Sequence, residues 1–108
     1  MQIKLTTTGR KSGKDRTTTL YAWEHDADLI VVGSWGGSPR DPDWAGNLRA
    51  EPKATVKHAK DRFEVTAREL DGRERKRAWD LVVDRFALYA SYQRKTERRI
   101  PLFALRRR

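Results

Sequence analysis

The order of hydrophobic patterns along the chain is the feature that most constrains its fold. Alternation typical of strands dominates residues 1–68, and a helical period begins only after Gly72. Because strands and long helices do not alternate, a doubly wound parallel sheet is excluded. We therefore predict a mainly β (α+β) fold, a single barrel of about six mostly antiparallel strands with helical cover. The predicted strands are 1–8, 17–23, 29–32, the two arms of a hairpin over 53–68, and 100–105.

Three local signals refine the strands. Leu29–Val32 is apolar at every position, which predicts a central strand covered on both faces. The dipeptide Lys60-Asp61 is predicted to form the hairpin turn. Pro101 lacks an N–H donor, so it favours either the first residue of a strand or an edge strand.

Two helices are predicted. Asp41 as N-cap and Pro42 as the first helical residue predict a short helix that ends before Pro52. After Gly72, apolar residues recur at helical spacing with Arg and Lys opposite, which indicates a longer amphipathic segment. This segment is predicted to break near Ala87 and to cover the sheet.

Charge and composition exclude several classes of protein. A chain of 108 residues is the size of one domain, here taken as 1–108. Its net charge of +9 requires a negatively charged partner: nucleic acid, a membrane surface or an anionic small molecule. Without cysteine there is no disulfide or thiol nucleophile, and two separated histidines argue against a metal centre. Since no apolar run approaches the roughly 20 residues of a membrane span, we expect a cytoplasmic protein.

A basic turn at residues 9–14, GRKSGK, has the chemistry of an anion site. It is not a Walker loop, because three residues instead of four separate its glycines and Asp15 replaces the required Ser or Thr. Its backbone N–H groups, with Arg10 and Lys11, either hold a phosphate or form a solvated hairpin turn. The glycines at 33–37 lack dinucleotide-binding spacing and predict a turn after a buried strand.

Phe86, Tyr89 and Tyr92 recur every three residues and predict a row on one side of the last helical segment. Such a row is either core or the wall of a pocket, where tyrosine hydroxyls would need polar partners. His58 is interpreted as a packing residue on a strand. No catalytic triad or metal-ligand spacing is present, so an enzyme of this sequence would need a cofactor for its chemistry.

Several motifs together resemble one enzyme family. They are LTTTGRKSG at 5–13 with Arg16, Ser34 with Gly36-Gly37, Pro42-x-Trp44-x-x-Asn47-Leu48-x-Ala50-x-Pro52, Tyr89-x-x-Tyr92-Gln93, and Thr96-x-Arg98-x-Ile100-Pro101. In this order and spacing they cover nearly the whole chain and resemble the deazaflavin-dependent nitroreductase family. Members of that family are split β-barrel proteins. The resemblance implies that fold and the deazaflavin coenzyme F420, with flavin mononucleotide as the disfavoured alternative.

The resemblance also implies a role for each matching segment. The turn at 10–12, with Arg16, resembles the grip on the coenzyme's phosphate, and 17–21 resembles the strand along its ring and side chain. Residues 32–35 resemble the backbone edge that binds the ring, and 43–47 the helix start over its other side. The implied coenzyme-binding residues are Arg10, Lys11, Ser12, Arg16, Thr17, Thr18, Thr19, Leu20, Tyr21, Val32, Gly33, Ser34, Trp35, Asp43, Trp44, Ala45, Gly46, Asn47 and Tyr89.

Hydride transfer is the reaction that the resemblance implies. The acceptor would be a quinone, a nitro compound or an activated alkene. Tyr89 and Tyr92, with Ser34 as a further donor, are the implied catalytic residues, because a hydroxyl can stabilise the developing anion. Phe86, Tyr89 and Tyr92 are the implied substrate-binding residues.

Two departures and two alternatives accompany this hypothesis. Thr19 stands where the family usually has proline, and only four residues precede Leu5, so any membrane contact is expected to be peripheral. A non-catalytic deazaflavin or flavin carrier would need the same binding residues. A barrel for single-stranded nucleic acid is disfavoured by the interspersed acids. The expected partners are an anionic coenzyme and a small-molecule acceptor, without nucleic acid, in a monomer or homodimer.

Overall fold

The computed structural model describes residues 1–108 and contains six strands and three helices. The strands are β1 (Gln2–Thr8), β2 (Asp15–His25), β3 (Asp28–Val32), β4 (Lys53–His58), β5 (Asp61–Glu69) and β6 (Leu102–Arg107). The helices are α1 (Asp43–Ala50), α2 (Gly72–Arg85) and α3 (Leu88–Arg94), and a single 3-10 turn covers Trp35–Gly37.

The strands close into a barrel in the order β1-β2-β3-β6-β5-β4, and every neighbouring pair is antiparallel. The predicted antiparallel barrel is therefore confirmed. β6 lies between β3 and β5, so the C-terminal strand is interior to the sheet. Pro101 immediately precedes β6, which agrees with the strand-start alternative and rules out the edge alternative.

The inside of the barrel is filled by aliphatic side chains and closed by α1. Ile3, Val56 and Leu105 are almost fully buried there. From α1, Trp44 and Leu48 enter the same cluster, and the Trp44 ring meets Phe103 edge-on at a centroid distance of 5.8 Å. Burial of each large side chain contributes about 1.5–3 kcal/mol, so α1 is held in place by its apolar face.

The outer face of β3 and β6 is covered by α2 and α3. Ile30 and Leu102 pack there against Val82 of α2 and Tyr89 of α3. β3 is therefore buried on both faces, as its unbroken apolar run predicts. The predicted break in the helical segment is also confirmed, because α2 ends at Arg85 and α3 begins at Leu88.

Several predicted boundaries are wrong by one or two residues. β2 runs from Asp15 to His25 instead of 17–23, and β3 begins at Asp28 instead of Leu29, because the ladders continue to the pairs Thr8–Asp15 and His25–Asp28. α1 begins at Asp43, because Asp41 uses its carboxylate to pair with Arg49 and Arg98 instead of capping the helix. The hairpin loop is Ala59-Lys60, since His58 pairs across it with Asp61.

Strand β6 runs from Leu102 to Arg107 instead of 100–105. At its basic end, Arg106 pairs with the buried Asp28 of β3 at 2.9 Å. A buried carboxylate needs a charged partner, and this pair continues the ladder to the end of the chain. None of the helices has the length and apolar character that crossing a bilayer requires.

Candidate functional site

One large cavity, about 820 Å³ in volume, lies on the outer wall of the barrel. Its sides are the β1–β2 loop, β2, the end of β3, the start of α1 and the segment that contains α3. The lining residues are Gly9, Arg10, Lys11, Ser12, Arg16, Thr17, Thr18, Thr19, Leu20, Tyr21, Val32, Ser34, Trp35, Pro42, Asp43, Trp44, Asn47, Phe86, Tyr89 and Tyr92. A volume of this size suits a cofactor-sized ligand.

Nearly all the residues singled out in the sequence line this one cavity. Gly33, Ala45 and Gly46 do not. Ala45 is fully buried in the barrel core, and Gly33 packs against Pro101, where a Cβ would come within 2.7 Å of the proline ring. Gly9 and Pro42 line the cavity without having been predicted.

The basic end of the cavity is tied to α1 through Arg10. The Arg10 guanidinium donates hydrogen bonds to the Asp43 carbonyl at 3.0 Å and to Asn47 Oδ1 at 2.8 Å. It lies across Gly46, where a Cβ would stand 2.9 Å from the guanidinium carbon. Lys11 and Arg16 are exposed and make no ion pair within the chain, so their charge is available to an anion.

Asn47 is the polar link between α1 and the barrel. Only 3% of its surface is exposed. Its Oδ1 accepts from the Arg10 backbone N–H at 3.1 Å as well as from the guanidinium, and its Nδ2 donates to Thr7 Oγ1 at 3.1 Å. Since a buried amide requires such partners, Asn47 fixes the basic turn relative to the helix. Its contribution to the site is therefore positioning of the turn.

Arg98 organises the loop between β3 and α1. Its guanidinium donates to the carbonyls of Gly33 at 3.1 Å, Ser34 at 2.9 Å and Ser38 at 2.8 Å, and to Asp41 Oδ1 at 2.7 Å. The Arg98 side chain is only 14% exposed, so these bonds form in a largely dry environment. This loop carries the cavity wall at the end of β3.

Trp35 has a strained backbone conformation that this loop holds in place. Its φ is +42°, a left-handed conformation that costs an L residue about 1–2 kcal/mol. In a trans peptide the carbonyl and the following N–H point in opposite directions. Because the Ser34 carbonyl faces Arg98, the Trp35 N–H points away from it.

The opposite end of the cavity is aromatic. Phe86 and Tyr89 meet edge-on with centroids 4.9 Å apart, and Tyr92 lies 6.5 Å from Tyr89. The Trp23 indole donates a hydrogen bond to Tyr89 Oη at 3.1 Å. Burial raises the pKa of the Tyr89 hydroxyl above its ordinary value, and the bond from Trp23 opposes part of that rise. The hydroxyl is therefore protonated at neutral pH.

Sequence reasoning missed two residues that shape the cavity without lining it. Arg98 appeared only as one letter of a motif, and Trp23 only as part of a strand. Each reaches its partners across more than 50 positions of the chain, and periodicity cannot reveal such pairs. His58 behaves as predicted, since its Nδ1 lies 3.1 Å from the Gln2 carbonyl on the barrel wall.

The fold and the site together define a class of protein: a split β-barrel with one large cavity that is basic at one end and aromatic at the other. A sequence model of the F420H(2)-dependent quinone reductase family matches residues 1–107. An F420H(2)-dependent quinone reductase of Mycobacterium tuberculosis is 43% identical over 110 residues, which is 98% of this chain and 73% of the relative. The chain belongs to the family of F420H(2)-dependent quinone reductases.

Solved structures agree with this assignment. An F420-H2 dependent reductase superimposes with a TM-score of 0.86 at 41% identity, over 96% of this chain and 92% of the other. A second chain, described as a domain-swapped dimer, gives a TM-score of 0.87 at 41% identity over 96% and 78%. The split barrel, the reductase class and the coenzyme F420 implied by the sequence resemblance are therefore confirmed.

Replacing Arg98 by alanine should destabilise the protein and weaken coenzyme binding together. The change leaves Asp41 and the carbonyls of Gly33, Ser34 and Ser38 without their shared donor. We expect the free energy of unfolding, measured by urea denaturation, to fall by on the order of 3 kcal/mol, as for a broken buried pair.

The matched control is Arg49→Ala. Arg49 also pairs with Asp41, at 2.8 Å, but its side chain is 41% exposed and reaches Glu69 on the surface. We expect this variant to lose about 1 kcal/mol or less and to keep its coenzyme affinity. Equal losses in the two variants would show that Arg98 has no special part in the loop.

Proposed function

We propose that this reductase binds reduced F420 in the 820 Å³ cavity and passes its hydride to a quinone at the aromatic end. The observation that carries the proposal is the polarity of the cavity: free cations at one end, tyrosine hydroxyls at the other, and the strand wall of β2 between them. The donor set fits a coenzyme with a phosphate, a flat ring and glutamates. Residues 1–108 would then form one coenzyme-binding domain.

At the basic end, Lys11, Arg16 and the backbone of Ser12 would hold the phosphate. Charge-assisted hydrogen bonds of this kind are stronger than neutral ones, and the exposed position leaves the cations free of competing acids. Arg10 would contribute one edge of its guanidinium while Asp43 and Asn47 hold the rest of it. The basic turn is thus rigid before the coenzyme arrives, which lowers the entropic cost of binding.

Along the middle of the cavity, Thr17 to Tyr21 would face one side of the ring, with Val32 to Trp35 along its edge. The outward direction of the Trp35 N–H supports a backbone donor at this edge. Trp44 and the start of α1 would cover the other side. Gly33 and Gly46 would act behind this wall, because Gly33 lets the loop pack against Pro101 and Gly46 lets Arg10 pack against α1. Ala45 would act there as a core residue of α1.

When bound, the reduced deazaflavin supplies a hydride, that is, two electrons and one proton. The protein's share is to exclude water, align the acceptor and stabilise charge on the acceptor oxygen. Tyr89 and Tyr92 are the proposed donors, with Ser34 as a further one, and Phe86 would form the apolar contact with the acceptor ring. The name of the family favours a quinone over the nitro compounds and alkenes named above.

Coenzyme preference and turnover test the function directly. Titration of the purified protein should show tighter binding of oxidised F420 than of flavin mononucleotide. Reduced F420, followed by absorbance, should be oxidised only when a quinone is added. Equal or tighter binding of flavin mononucleotide would refute the assignment. Binding without quinone-dependent oxidation would favour a carrier, and light scattering on the same sample would distinguish monomer from homodimer.

Lys11→Ala should weaken binding of oxidised F420 by about 1.5–3 kcal/mol, the range for a charged hydrogen bond, with no change in thermal stability. Arg10→Ala should weaken binding similarly and also lower the melting temperature, because it removes the bonds to Asp43 and Asn47. Fluorescence titration and thermal denaturation measure the two effects.

The matched control for the basic turn is Lys14→Ala. Lys14 carries the same charge in the same exposed turn but does not line the cavity. A loss of affinity in Lys14→Ala as large as in Lys11→Ala would mean that only the net charge matters. A melting temperature that collapses in Arg10→Ala while affinity stays intact would make Arg10 purely structural.

Removing a tyrosine hydroxyl should reduce turnover more than binding. Tyr92→Phe keeps the ring beside Phe86 and Tyr89, so folding and affinity for F420 should survive. If the hydroxyl stabilises charge on the acceptor, the rate constant with a quinone should fall by about tenfold to a thousandfold, as for other single donors. Tyr89→Phe should give a loss in the same range. Unchanged rates in both variants would remove the tyrosines from the mechanism.

A further inference from the structure

Trp23 contacts the aromatic end of the cavity from behind. It lies on the outer face of β2 and does not line the cavity. Its ring meets Tyr89 edge-on at 6.4 Å and stacks near Tyr21 at 6.3 Å with an interplanar angle of 21°. The contact with Tyr89 includes a hydrogen bond, with indole Nε1 and Tyr89 Oη 3.1 Å apart.

The chemistry of the two groups fixes the direction of this bond. An indole N–H can only donate, so Tyr89 Oη must accept. The proton of the hydroxyl cannot point at Trp23, and Tyr89 makes no other side-chain hydrogen bond in the chain. Tyr89 is only 7% exposed and lines the cavity, so its O–H is free to donate to a ligand bound there.

Tyr92 provides the contrast. Its side chain is half-buried, it lines the same cavity, and its hydroxyl has no hydrogen-bond partner in the chain. A phenol without a partner rotates between orientations and must be ordered when it binds an acceptor. Tyr89 is ordered beforehand, and preorganised donors are the ones that stabilise a transition state most effectively.

We propose that Trp23 is a positioning residue that aims the O–H of Tyr89 at the acceptor, an inference that rests on the proposed function. Reduction of a quinone to the hydroquinone takes one hydride and one proton. The hydride, with both electrons, comes from reduced F420, which also loses a proton as it becomes oxidised, and solvent supplies the proton that the acceptor gains. Tyr89 donates its hydrogen bond to the quinone oxygen on which negative charge develops.

A bond accepted by a hydroxyl oxygen also polarises its O–H. Trp23 opposes the rise in the pKa of Tyr89 that burial causes. In physical terms, the indole N–H withdraws electron density from Oη, and chains of hydrogen bonds strengthen one another. The position of Trp23 thus both orients the donor and strengthens it, while the hydroxyl stays protonated at neutral pH.

The bond can be tested without coenzyme. In the free protein labelled with 15N, the indole N–H signal of Trp23 is identified by its loss in Trp23→Phe. We expect this signal to move in Tyr89→Phe, which removes the acceptor, and the other three indole signals to stay in place. If this signal does not move in Tyr89→Phe, the inference is overturned, regardless of the result of any activity assay.

Turnover tests the consequence through a double-mutant cycle. Trp23→Phe should lower the rate constant with a quinone by about tenfold while affinity for F420 is kept, and should cause no further loss in the Tyr89→Phe background. A merely structural role would lower the rate in both backgrounds, and a wild-type rate in Trp23→Phe would likewise overturn the inference. Absence of turnover in the wild-type protein would instead contradict the proposed function, and the indole signal would still decide whether Trp23 holds Tyr89.

Trp79→Phe is the matched control. Trp79 is a partly buried tryptophan of the same outer cluster, but it lies on α2 under the Arg75 guanidinium and does not line the cavity. This variant should keep wild-type turnover. A tenfold loss in Trp79→Phe would show that any indole-to-phenyl change in the cluster disturbs the site, and it would overturn the specific role given to Trp23.

Discussion

The guanidinium of Arg98 is the group on which the geometry of the site depends. Its planar set of N–H donors bonds three backbone carbonyls and the carboxylate of Asp41 at once, which no other cationic side chain can do. The loop it holds leads from β3 into α1, so the position of α1 follows from it. α1 in turn carries Asn47, whose amide holds the turn that contains Arg10. The wall at one end of the cavity and the basic turn at the other are therefore linked through the bonds of Arg98, the backbone of α1 and the bonds of Asn47.

Charge pairing decides which cations of the chain remain available to an anion. Several arginines outside the cavity form ion pairs with acids of the chain. Arg49 pairs with Asp41 and Glu69, and Arg106 pairs with Asp28. Lys11 and Arg16, at the basic end of the cavity, are not paired in this way, so their positive charge is available there. An ion pair on the surface contributes little to stability, whereas an unpaired cation beside a pocket contributes directly to binding an anion.

Sequence patterns predicted the strands and the helical break because each depends on the local period of apolar residues. The unbroken run Leu29–Val32 indicated burial on both faces, and α2 and the barrel interior provide it. Nearly all the residues that the family motifs singled out line one cavity. The boundaries that failed, at Asp41 and Arg106, depend on distant charge partners, and so do the roles of Arg98 and Trp23. Such pairs form only once the barrel has closed, so no local pattern records them.

The bond between Trp23 and Tyr89 joins two layers of the fold. Trp23 belongs to the barrel wall, and Tyr89 belongs to α3, which packs outside it. The direction of the Tyr89 hydroxyl therefore depends on how the helical cover packs on the barrel, and α3 contributes Tyr89 and Tyr92 to the cavity wall. Because side chains in a close-packed core have few alternative positions, this arrangement holds the donor still at no further cost in entropy when an acceptor binds. The packing that stabilises the helical cover is thus the same packing that orients the reacting end of the site.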